Sequence, residues 1–205
     1  MPTTAGRKHR TQQERSEHTR ELLLDATISC LVELGYARTT VHEICLRAGL
    51  SRGAQQHHFT TKAELMTSAL QHLFGQLSSE ISDATTALPT GEERFGKGID
   101  LLWRSYSGTL STAAVELWVA ARTDDELRTS LLPVDRALGH ATLDFYRALV
   151  GIDVDERQLE TLLLLTVNLF RGLAVDAMIG GDVTRRTALL AEWKALALEQ
   201  YRRLR

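Results

Sequence analysis

The twenty residues from Thr40 to Phe59 constrain this chain more than any other stretch. They hold two helix starts, a glycine stop and a pair of apolar anchors. Thr40-x-x-Glu43 has the form of a capping box, a side-chain exchange that satisfies orphan amide donors at a helix start. Val41, Ile44, Cys45 and Ala48 then make one apolar stripe, about two helical turns long. Gly49 stops that helix as a left-handed cap. Ser51 can cap a second helix through its hydroxyl. That helix runs from Arg52 to about His58, with Ala54 and Phe59 as its clear core anchors. Two short helices joined by a glycine-containing turn form a helix-turn-helix unit. Its helices pack closely, which suits the small pair Ala48 and Gly49.

The outer face of the second helix is polar and carries Arg52, Gln55, Gln56 and His57. A glutamine can pair in bidentate fashion with adenine, and an arginine with guanine. Gly53 leaves room for a phosphate near the backbone. Lys62 could hold phosphate by charge at the next helix start, where the helix dipole assists. The hydroxyls of Thr39 and Thr40 sit at another helix start and could act alike. An ordinary helical hairpin with a solvated polar face has the same spacing, so spacing alone leaves both readings open.

The rest of the chain also reads as helix. Thr11-x-x-Glu14 is a capping box opening a helix that carries Leu24, Ile28 and Leu31 and ends at Gly35. Thr61-x-x-Glu64 opens a long helix through Leu65, Met66, Ala69, Leu70, Leu73, Phe74 and Leu77. The segment from Ser78-Ser79 to Thr90, with Thr85-Thr86 and Pro89, is expected to be a loop. Further helices are expected over 91–108, 112–122, 124–150, 156–179 and 184–203, and period-2 strand patterning is absent. The body therefore reads as a bundle hung from the helix that begins near Lys62.

Net charge is −2, so no global basic excess announces a nucleic-acid partner. The charge is uneven, however. Residues 1–63 hold nine Lys/Arg against six Asp/Glu, and residues 64–205 hold fifteen against twenty. Residues 1–11 read as a disordered arm whose Arg7, Lys8 and Arg10 could touch phosphate or a minor groove. No apolar run approaches the roughly 18–20 residues that span a bilayer. The polar, basic N-terminus lacks the apolar core of a secretory signal. Two cysteines, Cys30 and Cys45, suit a reducing cytosol and give no disulfide framework. The expected location is therefore cytoplasmic, with no membrane partner.

The segment ELGYARTTVHEICLRAGLSRGAQQHHFTTKAELM resembles the DNA-binding head of the TetR/AcrR family of bacterial transcriptional regulators. The matching signs are Gly35-Tyr36, Thr39-Thr40-Val41, Ile44, Ala48-Gly49-Leu50-Ser51, Gly53-Ala54, His57-His58-Phe59, Lys62 and Glu64-Leu65. The resemblance implies an all-α protein. A three-helix helix-turn-helix DNA-binding domain over 12–60 would be followed by a helical-bundle ligand-binding and dimerisation domain over 61–205. It implies a homodimer that places two recognition helices in successive major grooves of a near-palindromic operator, roughly 34–36 Å apart. A small molecule in the body would release the DNA, making the protein a repressor. In the family, Thr40, Arg52, Lys62 and the face of helix 52–58 are the usual DNA contacts. The family commonly has an aromatic residue where this chain has Gln56 and an apolar one where it has Gln55, which bears on operator sequence.

Candidates for the effector site are Trp103, Tyr106, Trp118, Arg122 and Asn168, taken from helical stripes that are otherwise core. Arg122 could meet an anion, although Asp124 and Asp125 could equally neutralise it. The dimer is expected on the last two helices, through Leu162, Leu165, Leu169, Gly172, Leu189, Trp193 and Leu196. The first of these helices is apolar on more than one face, so it must bury several sides. The alternative is a pair buried wholly within one chain.

His57 and His58 are adjacent and point about 100° apart on a helix, so they cannot share a metal. Cys30 and Cys45 read as core packers rather than a thiol switch. No nucleophile elbow, phosphate-cradling glycine loop or zinc spacing occurs, so no enzyme activity, metal or cofactor is expected. A second reading is a ligand-binding or scaffolding dimer whose head no longer binds DNA.

Overall fold

The computed structural model describes residues 11–86, 88–150 and 156–204. The basic arm expected over 1–11, with Arg7, Lys8 and Arg10, lies outside these residues except for Thr11. The described residues form nine α-helices and no strand: α1 (Gln12–Arg38), α2 (Val41–Ala48), α3 (Arg52–His58), α4 (Lys62–Thr86), α5 (Gly91–Tyr106), α6 (Thr109–Ala121), α7 (Asp125–Val150), α8 (Glu156–Met178) and α9 (Val183–Leu204).

Local chemistry places the boundaries in the head. Thr11 and Glu14 close a reciprocal capping box at the start of α1, with bonds of 3.2 and 2.8 Å. Gly35 breaks α1 near its end, at φ 74° and ψ 168°, and one further turn carries the chain to Arg38. Thr40 and Ser51 each accept an amide N–H three residues on, from Glu43 and Ala54. Thr61 caps α4 in the same way through the Glu64 N–H, while the Glu64 carboxylate accepts the Thr60 N–H at 2.7 Å.

The loop expected from Ser78 to Thr90 is corrected: α4 continues to Thr86. Its hydroxyl residues do not break the helix, because they can bond to its own carbonyls, as Thr85 Oγ1 does to the Ile81 oxygen at 2.6 Å. Pro89 is the effective stop, since the residue before a proline is pushed out of helical geometry.

Two cores hold the molecule. The first joins α1–α4 to α6 and α7, with Leu23, Leu31, Ile44, Phe59, Leu65, Leu70, Leu117 and Leu127 at its centre. The second joins α5, the end of α7, α8 and α9 around Phe95, Tyr146, Phe170 and Tyr201. Phe95 stacks on Tyr201 with ring centroids 4.6 Å apart. The head thus shares one continuous apolar core with α6 and α7.

The expectation that no segment nears membrane-spanning apolarity is also corrected. Over Arg157–Met178, α8 is long and apolar enough to cross a membrane by length and composition alone, a test that the core helix of a globular chain also passes. Counting uninterrupted apolar residues misses it, because single polar residues such as Asn168 divide the run. Leu162, Leu163, Val167, Phe170 and Leu173 fill the core from one side of α8, while Leu164, Leu165 and Val175 face outward.

Candidate nucleic-acid interface and body cavity

Helix α3 is held from beneath by Phe59, which is buried and lies under the Arg20 guanidinium at 5.5 Å from its ring centroid. Above that anchor, Arg52, Gly53, Gln56 and His57 stand exposed on one face, with Thr40 exposed at the start of α2. This is the polar face that the sequence expects to meet base edges. His58 turns partly inward, and burial, with His57 and Arg20 nearby, lowers its pKa. Cys30 and Cys45 are both buried, and burial raises their thiol pKa values, so they act as apolar packers. Among the described residues, no cluster of three His, Cys, Asp or Glu could hold a metal.

Three of the expected DNA contacts are corrected. Gln55 is only 3% exposed and donates through Nε2 to the Phe59 carbonyl at 2.8 Å. It lies four residues before Phe59, so helical period puts both on the inner face. It therefore fills an apolar slot and satisfies its amide on backbone. Thr39 is fully buried, and its hydroxyl donates to the Gly35 carbonyl at 2.7 Å. The Lys62 ammonium donates to the Tyr36 carbonyl at 3.3 Å and sits 4.0 Å from the Tyr36 ring centroid. Burial lowers its pKa, with Asp124 working the other way. Its ammonium is half-buried against the Tyr36 carbonyl and ring.

Lys62 belongs instead to a junction between head and body that the sequence did not announce. The Tyr36 backbone N–H donates to Glu116 Oε2 at 2.8 Å. The Tyr36 hydroxyl donates to Asp124 Oδ2 at 2.8 Å, and burial followed by that carboxylate pushes the phenol pKa well upward. Asp124 also accepts the Leu127 N–H at 2.9 Å, and these two bonds hold its own pKa below the usual carboxylate range. Gly35 suits this junction chiefly through its backbone. Its φ of 74° disfavours a side chain, and a Cβ would lie 2.9 Å from Glu116 Oε2. Partners eighty and eighty-eight residues apart leave no local signal.

A cavity of about 520 Å³ opens among α4–α8. Of the expected effector contacts, Tyr106, Trp118 and Asn168 line it. Two do not and are corrected. Trp103 packs edge-on against Phe170, 5.4 Å between centroids, because its position on α5 turns it into the second core. Arg122 is exposed at the turn after α6, beyond the last residue of that helix facing the cavity. The polar feature that sequence reasoning missed is Asp135 with Arg171. Trp118 Nε1 donates to Asp135 Oδ1 at 3.0 Å, and the Arg171 guanidinium lies 4.4 Å over the Trp118 ring. These residues sit on α6, α7 and α8, so only the tertiary fold brings them together.

The last two helices leave an apolar face uncovered. Leu165, Gly172 and Ile179 recur seven residues apart on one side of α8 and just beyond it, and all three are exposed. Leu189 and Leu196 repeat that spacing on α9, again exposed, and a Cβ at Gly172 would meet nothing within 4 Å. Leu169 is half-buried between the two sides. Leu162 is corrected, being 7% exposed within the chain's own core, while Trp193 is half-buried and its Nε1 donates inward to Thr166 Oγ1 at 3.2 Å.

The profile of bacterial regulatory proteins of the tetR family matches residues 23–69, covering most of α1 through the start of α4. An uncharacterised HTH-type transcriptional regulator of Mycobacterium tuberculosis (strain ATCC 25618 / H37Rv) is 31% identical over 167 residues, spanning 81% of this chain and 86% of that protein. The HTH-type transcriptional regulator CymR of Pseudomonas putida is 29% identical over 195 residues, spanning 95% and 96% of the two chains. A transcriptional regulator from Saccharomonospora viridis, crystallised in complex with choline, shares the fold at a TM-score of 0.67 and 14% identity, over 86% of this chain and 95% of that one. With the head geometry, the helical body and these relatives in agreement, the chain belongs to the tetR family of bacterial transcriptional regulators.

Proposed function

We propose that the chain is a ligand-responsive repressor that works in the cytoplasm as a homodimer on a near-palindromic operator. Residues 12–60 form the reader and residues 61–205 the effector and dimer unit, with the N-terminal arm adding phosphate or minor-groove contact. Arg52, Gly53, Gln56 and His57, with Thr40, meet the DNA. The exposed stripe of α8 and α9 meets its copy. The cavity takes a small molecule; the Saccharomonospora viridis regulator that shares this fold was crystallised in complex with choline.

The observation that carries this reading is the double duty of α6. One side of it lines the cavity through Leu110, Ser111, Ala114 and Trp118. Glu116, on the same helix, grips the Tyr36 N–H in the head. A ligand that shifts α6 must therefore pull on the segment that leads into the helix-turn-helix. Linkage requires that DNA weaken ligand binding by the factor by which ligand weakens DNA binding.

Selection from random duplexes tests the reading. The full chain should enrich a near-palindrome with half-sites about one helical turn apart, and two chains should bind each duplex. Arg52→Ala should abolish the enrichment. If the wild-type chain enriches no sequence, the head is not a reader and the repressor reading falls. A promoter carrying the enriched site should be less active in cells that express the chain, and an unchanged or raised output removes repression.

A further inference from the structure

We propose that the body cavity selects a monocarboxylate with an apolar body, and that Arg171 is the residue that holds its charge. This rests on the cavity being the effector site. Three charged side chains line the wall: Arg94, Asp135 and Arg171. Their formal sum is one positive charge, so a single anion neutralises the cavity.

The arrangement also argues against a cation. A cationic ligand is recognised by an aromatic face and a carboxylate. Both are present as Trp118 and Asp135, but the chain's own Arg171 already occupies them. Its guanidinium covers the Trp118 ring at 4.4 Å, and its Nη2 faces Asp135 Oδ1 at 3.9 Å. The other lone pair of interest on Oδ1 is taken by Trp118 Nε1–H at 3.0 Å. A quaternary ammonium would have to displace a tethered guanidinium from its place.

Arg171 itself is only partly satisfied. Asp135 lies beyond hydrogen-bond length, and the Arg171 Nε is buried without a protein partner. Nε and Nη2 form one edge of the guanidinium, the edge that grips a carboxylate with two parallel N–H bonds. Tyr106 lines the same wall, and Arg171 and Thr142 act on its phenol. Burial keeps its phenol protonated, so it remains a donor for an anion. The rest of the wall includes Phe74, Leu102, Phe145 and Val167, which suit an apolar body.

Calorimetry on the purified full chain without DNA tests this, using octanoate, octanamide and octylamine, and β-naphthoate with β-naphthamide. At least one acid should bind about ten-fold or more tightly than its own amide, the factor that charge-assisted hydrogen bonds supply. Octylamine should bind no better than octanamide. Arg171→Gln should bring the acid down to the level of its amide. Arg171→Lys, which keeps the charge but loses the fork, should recover only part of the difference. Unchanged melting of both variants confirms that the cavity survives; if Arg171→Gln melts early, the Arg171→Lys comparison decides. Binding of neither acid, a preference for the amine, or an acid preference that persists without the guanidinium overturns the proposal. Operator release by the same acid is measured separately. Acid selectivity without release sinks the repressor reading and leaves the ligand class standing.

Discussion

In the head, Arg52, Gln56 and His57 stand in solvent on one face of a seven-residue helix, whereas in the body Trp118, Asp135 and Arg171 are drawn from three helices onto one another. The difference is between a surface addressed to a partner of fixed shape and a pocket whose polar side chains pack on one another. A polar side chain in the head is free if helical period turns it outward. One turned inward, such as Gln55, must find a backbone acceptor. In the body no period decides the matter, and each polar group depends on residues far away in sequence. The same contrast separates the two sides of α8, one filling the chain's core and one bare.

The largest expected effect lies on that bare side. Leu165 is 54% exposed, so Leu165→Glu should leave the fold intact and split the assembly to the mass of one chain, 22.9 kDa, in sedimentation. Operator affinity should then fall by about a hundred-fold or more, since the second half-site no longer binds as part of the same unit. Leu162→Ala, three residues away and buried, should do the reverse. It should cost roughly 2–5 kcal/mol of stability by opening a cavity, while the assembly keeps its mass. If both variants remain assembled, the face on α8 is not the dimer contact.

The paired glutamines sharpen the comparison within the head. Gln56→Ala should leave the melting temperature unchanged and weaken the operator complex by about 1–3 kcal/mol, with preference relaxed at one base pair. Gln55→Ala should strip the Phe59 carbonyl of its donor and lower stability by about 1–3 kcal/mol. Thermal melts and gel shifts on the two variants should therefore move in opposite columns. A loss of base preference in Gln55→Ala at unchanged stability would restore Gln55 as a reader.

Much of the head was legible because its signals are local. The Thr11, Thr40, Ser51 and Thr61 caps, the stops at Gly35 and Gly49, and the stripe through Ile44 and Cys45 all act within a few residues. Burial inside that frame was not legible at Thr39, Gln55 and Lys62, where polar residue type suggested solvent. Each finds a backbone carbonyl instead, from Gly35, Phe59 and Tyr36. In the body, helical stripes located the elements to within a few residues but not which side faces the cavity. Trp103 and Tyr106 lie three apart on α5, and only Tyr106 reaches the cavity. Serine and threonine after Ser78 do not end the helix, because their hydroxyls can bond its own carbonyls, as that of Thr85 does. Pro89 disfavours helical geometry at Leu88, just beyond α4.

Lys62 gives a smaller and sharper break between the regions. An exposed phosphate contact would flatten the salt dependence of operator binding by about one when removed. With its ammonium over the Tyr36 ring, Lys62→Met should leave the slope of the logarithmic salt plot unchanged. It should instead lower the melting temperature, by an amount in line with about 0.5–2 kcal/mol for a cation–π contact. Arg52→Ala, on the exposed face, should move the slope and leave the melt alone. A flattened slope in Lys62→Met would return that residue to the DNA surface.

The smallest expected effect is a pH dependence at the junction. The Leu127 N–H and the Tyr36 hydroxyl both donate to the Asp124 carboxylate and favour its charged form, so its folded pKa lies below the ordinary value. An unfolded chain takes up that proton first as pH falls through about 3.9. Between the ordinary and the depressed value the unfolded state therefore binds more protons, and stability must fall with falling pH across that window. Above it the contribution is complete, and below the folded pKa it is gone. Asp124→Asn removes the titration, so its melting temperature should lie below wild type at neutral pH and converge with it on the acid side. Glu116 supports the same segment through the Tyr36 backbone N–H, so Tyr36 stays anchored in the variant. Two melting curves that run parallel from neutral pH to pH ~3 would show that Asp124 carries no folded-state shift.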